Sequence, residues 1–283
     1  MPANILQKEK AERFHALHHS GNMLVLPNIW DTLGALLLES LDYPALATAS
    51  AAVAWANGYN DGEHIPFNDF LKLLKRICEC VDIPVSADIE SGFADNDIQL
   101  QENIRLLIDA GIVGINIEDT DKKSHCILST EAQCNKIRLI RKASDEKGIP
   151  LFINARTDVY LHEKNFANDA EQFQEAIIRG LAYKEAGADG FYPIAMKDGR
   201  DIREIMDWVD LPLNVITMPG IPDLKTLDEM GVARVSLGPS FLKISIQAMK
   251  QLATQLKEYQ GLLSITGNEV TSNYIKSLIN KKQ

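Results

Sequence analysis

A recurring punctuation constrains this chain more than any other feature. Three short apolar runs follow a proline-tagged entry: Asp82-Ile-Pro84-Val, Gly148-Ile-Pro150-Leu and Asp210-Leu-Pro212-Leu. Three more follow a glycine that closes a helical pattern, at Ala110-Gly111, Ala186-Gly187 and Met230-Gly231. Glycine accepts the left-handed residue past a helix, and proline before a strand stops the helix from continuing. Earlier runs at 23–26 and 45–48 bring the count to eight. All are short and apolar throughout, as parallel strands buried on both faces must be. Between them lie amphipathic patterns at 67–81, 98–110, 130–147 and 168–186, with Thr130 and Gln133 spaced as a capping box. Strands alternating with helices eight times predict an α/β fold, a (β/α)8 TIM barrel forming one domain over 1–283. A helix over 1–20 precedes it, and a helical tail over 240–283 exceeds what closure needs. An open doubly wound sheet is the other topology, but no Gly-x-Gly-x-x-Gly follows the first strand.

In such a barrel the functional groups sit where strands end. Reading those positions gives Asn28 and Asp31, Ser50-Ala51-Ala52, Asp88 and Glu90, Glu118 and Asp119, then Asn154, Arg156 and Asp158. Tyr192, Asn214, Thr217 and Ser236 complete the rim. Two neighbouring strands tipped with acids place three or four carboxylates around one small space. Such a cluster repels itself unless a cation or protons neutralise it. Oxygen ligands suit a hard divalent ion, Mg²⁺ first and Mn²⁺ second. The plainer reading is that these acids cap helices or face water.

A net charge of −10 argues against a nucleic-acid or anionic-membrane surface, so an anionic substrate needs a local cation. The first 20 residues carry acids and lack an uninterrupted apolar core, unlike a signal peptide or membrane span. Cys78, Cys80, Cys126 and Cys134 have no zinc-type spacing and read as free thiols of a reducing cytoplasm.

Other candidates divide between chemistry and architecture. Arg156 can clamp a carboxylate or oxyanion bidentately, or pair with Glu118 or Asp158. The small side chains of Ser50, Ala51 and Ala52 let backbone N–H groups approach a carboxylate, or allow tight strand–helix packing. Asp61 can reach a metal through water or make a turn before Gly62, and Asp31 reads as an N-cap. His125 and Cys126 lie in a loop that can close over the site, or merely line the surface. A Schiff-base barrel needs a lysine on a strand, and Lys197 lies in a loop.

The segments Leu-Pro-Asn-Ile-Trp-Asp, Ala-Thr-Ala-Ser-Ala-Ala-Val-Ala, Gly-Tyr-Asn-Asp-Gly-Glu, Ala-Asp-Ile-Glu-Ser-Gly-Phe, Gly-Ile-Asn-Ile-Glu-Asp and Asn-Ala-Arg-Thr-Asp occur in that order. Together with Val-Ser-Leu-Gly-Pro, they resemble the isocitrate lyase/phosphoenolpyruvate mutase superfamily over about residues 20 to 245, most closely its small phosphonomutase-like and 2-methylisocitrate-lyase-like members. The resemblance implies a (β/α)8 barrel, Mg²⁺, and a dimer or tetramer that exchanges its last barrel helix. It also implies C–C or C–P chemistry on a small oxo- or hydroxy-acid through an enolate or pyruvate-like oxyanion. Carried over by motif, Asp88 holds the metal most directly, with Asp61, Glu90 and Glu118 reaching it largely through water. The Ser50 and Ala51 amides receive the substrate carboxylate, and Arg156 clamps the oxyanion.

Departures from the family pattern concentrate in the gate loop. Its C–C lyases carry Lys-Lys/Arg-Cys-Gly-His, with the cysteine as proton donor, and its phosphonomutases carry Lys-Thr-Asn-Ser. Here the loop reads Lys122-Lys123-Ser124-His125-Cys126, leaving His125 or Cys126 as substitutes out of register. Thr48 replaces an aromatic residue, and Val-Ile-Thr replaces Asn-Ile-Thr, leaving Thr217 as a substrate contact. The expectation is a lyase or hydrolase cleaving a C–C bond, with C–P or P–O chemistry and a non-catalytic metabolite-binding barrel as alternatives.

Overall fold

The structure, a computed structural model, describes residues 5–280. The outermost parts of the expected 1–20 helix and 240–283 tail, residues 1–4 and 281–283, lie outside the described residues. Helix α1 (Ile5–His18) precedes β1 (Leu24–Leu26), β2 (Asn28–Ile29), α2 (Thr32–Ser40), β3 (Leu46–Thr48), α3 (Ser50–Ala56) and α4 (Phe67–Cys80). Then follow β4 (Val85–Asp88), α5 (Asp97–Asp109), β5 (Gly114–Glu118), α6 (Thr130–Lys147) and β6 (Phe152–Thr157). The chain continues with α7 (Asp169–Glu185), β7 (Gly190–Pro193), α8 (Gly199–Val209), β8 (Asn214–Ile216), α9 (Leu224–Glu229), β9 (Arg234–Ser236) and α10 (Ser240–Lys257).

All pairings are parallel, in the orders β2-β3-β4-β5-β6-β7 and β1-β9-β8. A parallel bridge between Phe191 and Leu213 joins β7 to β8, and the chain runs on through Pro27 from β1 to β2. The ring therefore closes as a (β/α)8 barrel whose first strand is split. Pro27 has no N–H to give, but its carbonyl still accepts from Ala47 N at 3.0 Å. Before it the strand pairs with β9, and after it with β3.

Inside, the core is apolar below and polar above. At the N-terminal end of the strands, α1 plugs the ring. Phe14 meets Phe152 edge-on at 5.5 Å, and His18 stacks on Phe152 at 4.0 Å. A Cβ on Gly114 would stand 2.5 Å from the Phe14 ring, so only glycine admits the plug there.

Ser129, not Thr130, caps α6: its Oγ accepts from Ala132 N at 3.2 Å. Gln133 does not complete a capping box but donates to Ile117 O at 3.3 Å, because its position faces the barrel. Gly148 closes α6 in the left-handed conformation, at φ +68°. The tail continues through α11 (Leu262–Thr266) to α12 (Ser272–Asn280), where Leu278 packs with Leu36 and Cys80. By contrast α10 buries only Leu242, leaving Ile244, Ile246 and Met249 exposed.

Candidate active site

Asp88 is the centre of the barrel mouth. Its N–H is received by Thr48 Oγ1 at 3.2 Å, so the residue that replaces an aromatic holds the strand end. Ser50 gives its O–H to Asp88 Oδ2 at 2.9 Å and its N–H at 3.4 Å. The other carboxylate oxygen, Oδ1, is buried and has no hydrogen-bond partner among the described residues. Past β4 the chain turns through Glu90 in the left-handed region, at φ +50°. Its carbonyl accepts the Glu118 N–H at 2.9 Å, which ties the two acid-tipped ends together.

Charge repulsion is written into this cluster. Burial pushes Glu90 up to about 9, with Asp61 and Asp88 adding to the effect. Burial lifts Asp61 above the usual carboxylate range too, again with help from Asp88. Glu118 is raised by burial to about 8 even though Arg156 Nη1 stands 2.8 Å away and pulls it down. Asp88 thus makes Asp61, Glu90 and Glu118 harder to ionise, although Asp61 lies in an exposed turn.

Arg156, at the end of β6, makes both of the pairings open to it. Besides Glu118 it grips Asp158 twice, Nε to Oδ1 at 2.6 Å and Nη2 to Oδ2 at 3.1 Å. Asp158 Oδ2 also accepts the Thr120 O–H at 2.6 Å, and Thr120 Oγ1 lies 3.3 Å from His162 Nε2. A guanidinium with five donors keeps some for a ligand after these three contacts.

Asp119 departs from its expected place among the rim acids. It is fully buried and turned away from the mouth, accepting from Thr157 Oγ1 at 2.7 Å, Asp158 N at 2.8 Å, Arg179 Nη1 at 3.0 Å and Tyr183 OH at 2.7 Å. Strand alternation sends neighbours to opposite faces, so Glu118 inward means Asp119 outward.

Several loop residues take the plainer of their two readings. Asp31 caps α2, accepting from Gly34 N at 2.7 Å. His125 and Cys126 are exposed and make no hydrogen bond to a rim residue. Their loop is held by Lys122, whose Nζ lies 3.3 Å from both Glu63 Oε2 and Asp95 Oδ1. Sequence reading passed over Glu63. It is buried, receives Ser91 Oγ at 2.6 Å and Phe93 N at 2.9 Å, and so joins the loops carrying Asp61 and Glu90. One acid in a polar loop gives no periodic signal to find it by.

The start of α3 has no side-chain cap at Ala49, and the N–H groups of Ala51 and Ala52 have no partner among the described residues. Free first-turn amides next to Asp88 form an anion-ready helix end. Thr217 follows β8, with its N–H on Ser236 O at 3.0 Å. Below the rim, Arg234 crosses the interior from β9, giving Nη2 to Asn116 Oδ1 at 3.3 Å and Nε to Ser236 Oγ at 3.1 Å.

A divalent cation suits this donor set. Among the described residues no three His, Cys, Asp or Glu side chains converge closely enough to hold an ion directly. Asp88 Oδ1 instead offers one buried oxygen without a partner among the described residues, and the Asp88 charge acts on Asp61, Glu90 and Glu118. An all-oxygen donor set suits a hard divalent ion.

Residues 14–257 match the family model described as Phosphoenolpyruvate phosphomutase. The chain belongs to that family. It is thereby an enzyme of the isocitrate lyase/phosphoenolpyruvate mutase superfamily. A candidate phosphonomutase from Burkholderia cenocepacia J2315 is 37% identical, with a TM-score of 0.81 over 88% of this chain and 99% of that one. The 2-methylisocitrate lyase of Escherichia coli (strain K12) is 31% identical over 213 residues, 72% of this chain and 68% of the lyase. Phosphonopyruvate hydrolase in complex with oxalate and Mg²⁺ shares the phosphomutase-family fold, with a TM-score of 0.83 over 96% of this chain and 95% of that one at 20% identity.

Proposed function

We propose that this enzyme cleaves a C–C bond of a small 2-hydroxy or 2-oxo carboxylate in a Mg²⁺-dependent reaction, with Mn²⁺ able to substitute. The observation that carries this reading is the unpartnered Asp88 Oδ1 inside a group of mutually repelling carboxylates, facing Arg156. Asp88, Asp61, Glu90 and Glu118 would hold the ion. When bound, it supplies charge stabilisation to the substrate oxygen, a contribution of several kcal/mol. The free amides at Ala51 and Ala52, beside Ser50, receive the substrate carboxylate. Arg156, fixed by Glu118 and Asp158, presents its remaining donors to the developing oxyanion. Thr217 contacts the far side of the substrate.

His125 and Cys126 take part in the reaction when their loop closes over the mouth. A second copy covers the exposed apolar face of α10, giving a dimer or tetramer; light scattering on the purified protein tests this. No described helix is long and apolar enough to cross a membrane, which accords with action in the cytoplasm.

The decisive experiment measures melting temperature with Mg²⁺, oxalate, and both together, followed by proton and phosphorus NMR on candidate substrates. Ligands that bind the native state raise the midpoint by mass action. A shift that needs both components, with C–C cleavage of a hydroxy- or oxo-acid, is the expected result. New phosphorus resonances from phosphonopyruvate would move the reaction to C–P chemistry, favoured by the similarity to a candidate phosphonomutase. No shift and no turnover would leave a barrel without catalysis and defeat the proposal.

A further inference from the structure

Breaking a C–C bond leaves an electron pair on carbon that must gain a proton, and the exposed gate loop holds no donor at the mouth. Tyr192 stands on β7 beside Arg156, its register partner on β6, and is 3% exposed. Arg156, Asp88, Arg234 and Asp158 are the charges around its phenol. The hydroxyl bonds to no other described residue.

The raised acids Glu90 and Glu118 are assigned to the ion, and most nearby hydroxyls are already engaged. Ser50 gives its O–H to Asp88, Thr120 to Asp158, and Ser236 to Asn214 Oδ1 at 3.1 Å. Thr217 has a free hydroxyl, but an alcohol is a far weaker acid than a phenol. We propose that Tyr192 is the catalytic acid that protonates the carbanion released by C–C scission, an assignment that rests on the lyase reading above. In the step, the C3–C4 bond of a 2-oxo acid breaks, its electron pair stays on C3 as the enolate, and the C4 carboxylate leaves as CO2. The phenol proton moves to C3 and makes it the methyl group of the product. The phenolate recovers a proton from water at the mouth, and the hydroxide left takes up the CO2 as bicarbonate. Atoms and charge balance with no oxidant or further reactant.

The surroundings fit both halves of that cycle. Burial holds the phenol well above its ordinary value, so it carries its proton at neutral pH. The charges of Arg156 and Arg234 both favour the transient phenolate. Arg156 is fixed by Glu118 and Asp158. Arg234 is wholly buried and touches Asn116 and Ser236 rather than a carboxylate. Its charge is not cancelled by a contact ion pair and is available to an anion formed beside it.

Deuterium exchange into the methyl group of pyruvate, in D2O with Mg²⁺, isolates the proton transfer from bond cleavage. The wild-type enzyme should exchange, and Tyr192→Phe should do so roughly 100-fold more slowly or worse. Oxalate affinity in the presence of Mg²⁺ should stay within about threefold, since the metal and anion sites are intact. Equal exchange rates, a wild-type enzyme that binds oxalate without exchange, or a variant that loses oxalate binding would each overturn the role of Tyr192 alone. Failure of the wild-type enzyme both to bind oxalate with Mg²⁺ and to exchange would overturn the lyase reading with it. Should Tyr192→Phe not fold, 3-fluorotyrosine at 192 keeps the shape and strengthens the acid. The alkaline limb of the exchange profile must then move to lower pH; an unmoved limb refutes the assignment.

Discussion

Glu118 and Asp119 are adjacent in sequence, yet they belong to opposite kinds of acid cluster. Asp119 is saturated by four donors, one of them the Arg179 guanidinium. Glu118 shares its cavity with Asp61, Asp88 and Glu90; Arg156 touches its carboxylate, and Lys136 Nζ gives to its backbone carbonyl at 3.3 Å. The first nest is complete as folded and ties β5 and β6 to α7. The second is electrostatically unfinished. Burial alone therefore does not mark a functional acid; missing partners and like-charged neighbours do.

The largest test of that contrast is Asp88→Ala. Turnover should fall by roughly a thousandfold or more, because several kcal/mol of charge stabilisation is lost. The melting temperature in the absence of metal should hold or rise, since the carboxylate that helps to raise Asp61, Glu90 and Glu118 is gone. A variant with wild-type kcat would break the comparison.

The reciprocal change, Asp119→Ala, should cost about 1–3 kcal/mol in urea unfolding, because Tyr183 loses its acceptor while Arg179 keeps Glu175 at 2.7 Å. Activity per folded molecule should survive. If instead activity vanished with stability intact, Asp119 would belong to the site after all.

His18 sharpens the rule from the other end of the barrel. Its Nε2 is also buried and unpartnered, but it sits in the plug. Burial first, and the charge of Arg234 second, pull it down to about 3. The folded state keeps His18 neutral while the unfolded chain takes the proton at about 6.5, so protons favour unfolding. Its contribution is intact above that value and is lost as pH falls towards 3. Going from pH 7 to 5 should cost about 2 kcal/mol of stability, and His18→Gln should flatten that slope.

Lys122→Met should have the smallest effect. Its ion pairs to Glu63 and Asp95 are partly solvated, so stability should change by about 0–1 kcal/mol. Alkylation of the exposed Cys126 should speed up by about twofold as the loop loosens. No change in labelling would mean that the loop is held elsewhere.

Much of the barrel was legible because its strands repeat one physical theme. Pro84, Pro150 and Pro212 announce strand entries, and Gly111, Gly187 and Gly231 all adopt positive φ where helices end. Alternation likewise aimed Asp88, Glu118 and Arg156 at one mouth. What alternation cannot tell is where a strand stops pointing inward and the loop begins. Glu90 reaches the cluster through a left-handed turn rather than as a strand residue for that reason. Asp119 was misplaced because it was grouped with Glu118 at one strand end, although alternation sends the two to opposite faces. Thr130 looked like a cap because the hydroxyl before it, Ser129, has equal claim by composition, and backbone geometry decided between them. Glu63 depends on contacts between distant loops, which a one-dimensional pattern does not encode.

The split first strand has a mechanical consequence. A single six-residue stretch is stitched to β9 on one side of Pro27 and to β3 on the other, so it acts as the clasp of the ring. Circular permutation that opens new ends beside Pro27 should undo the clasp and prevent closure. New ends in the exposed turn at 57–62 should leave the hoop intact.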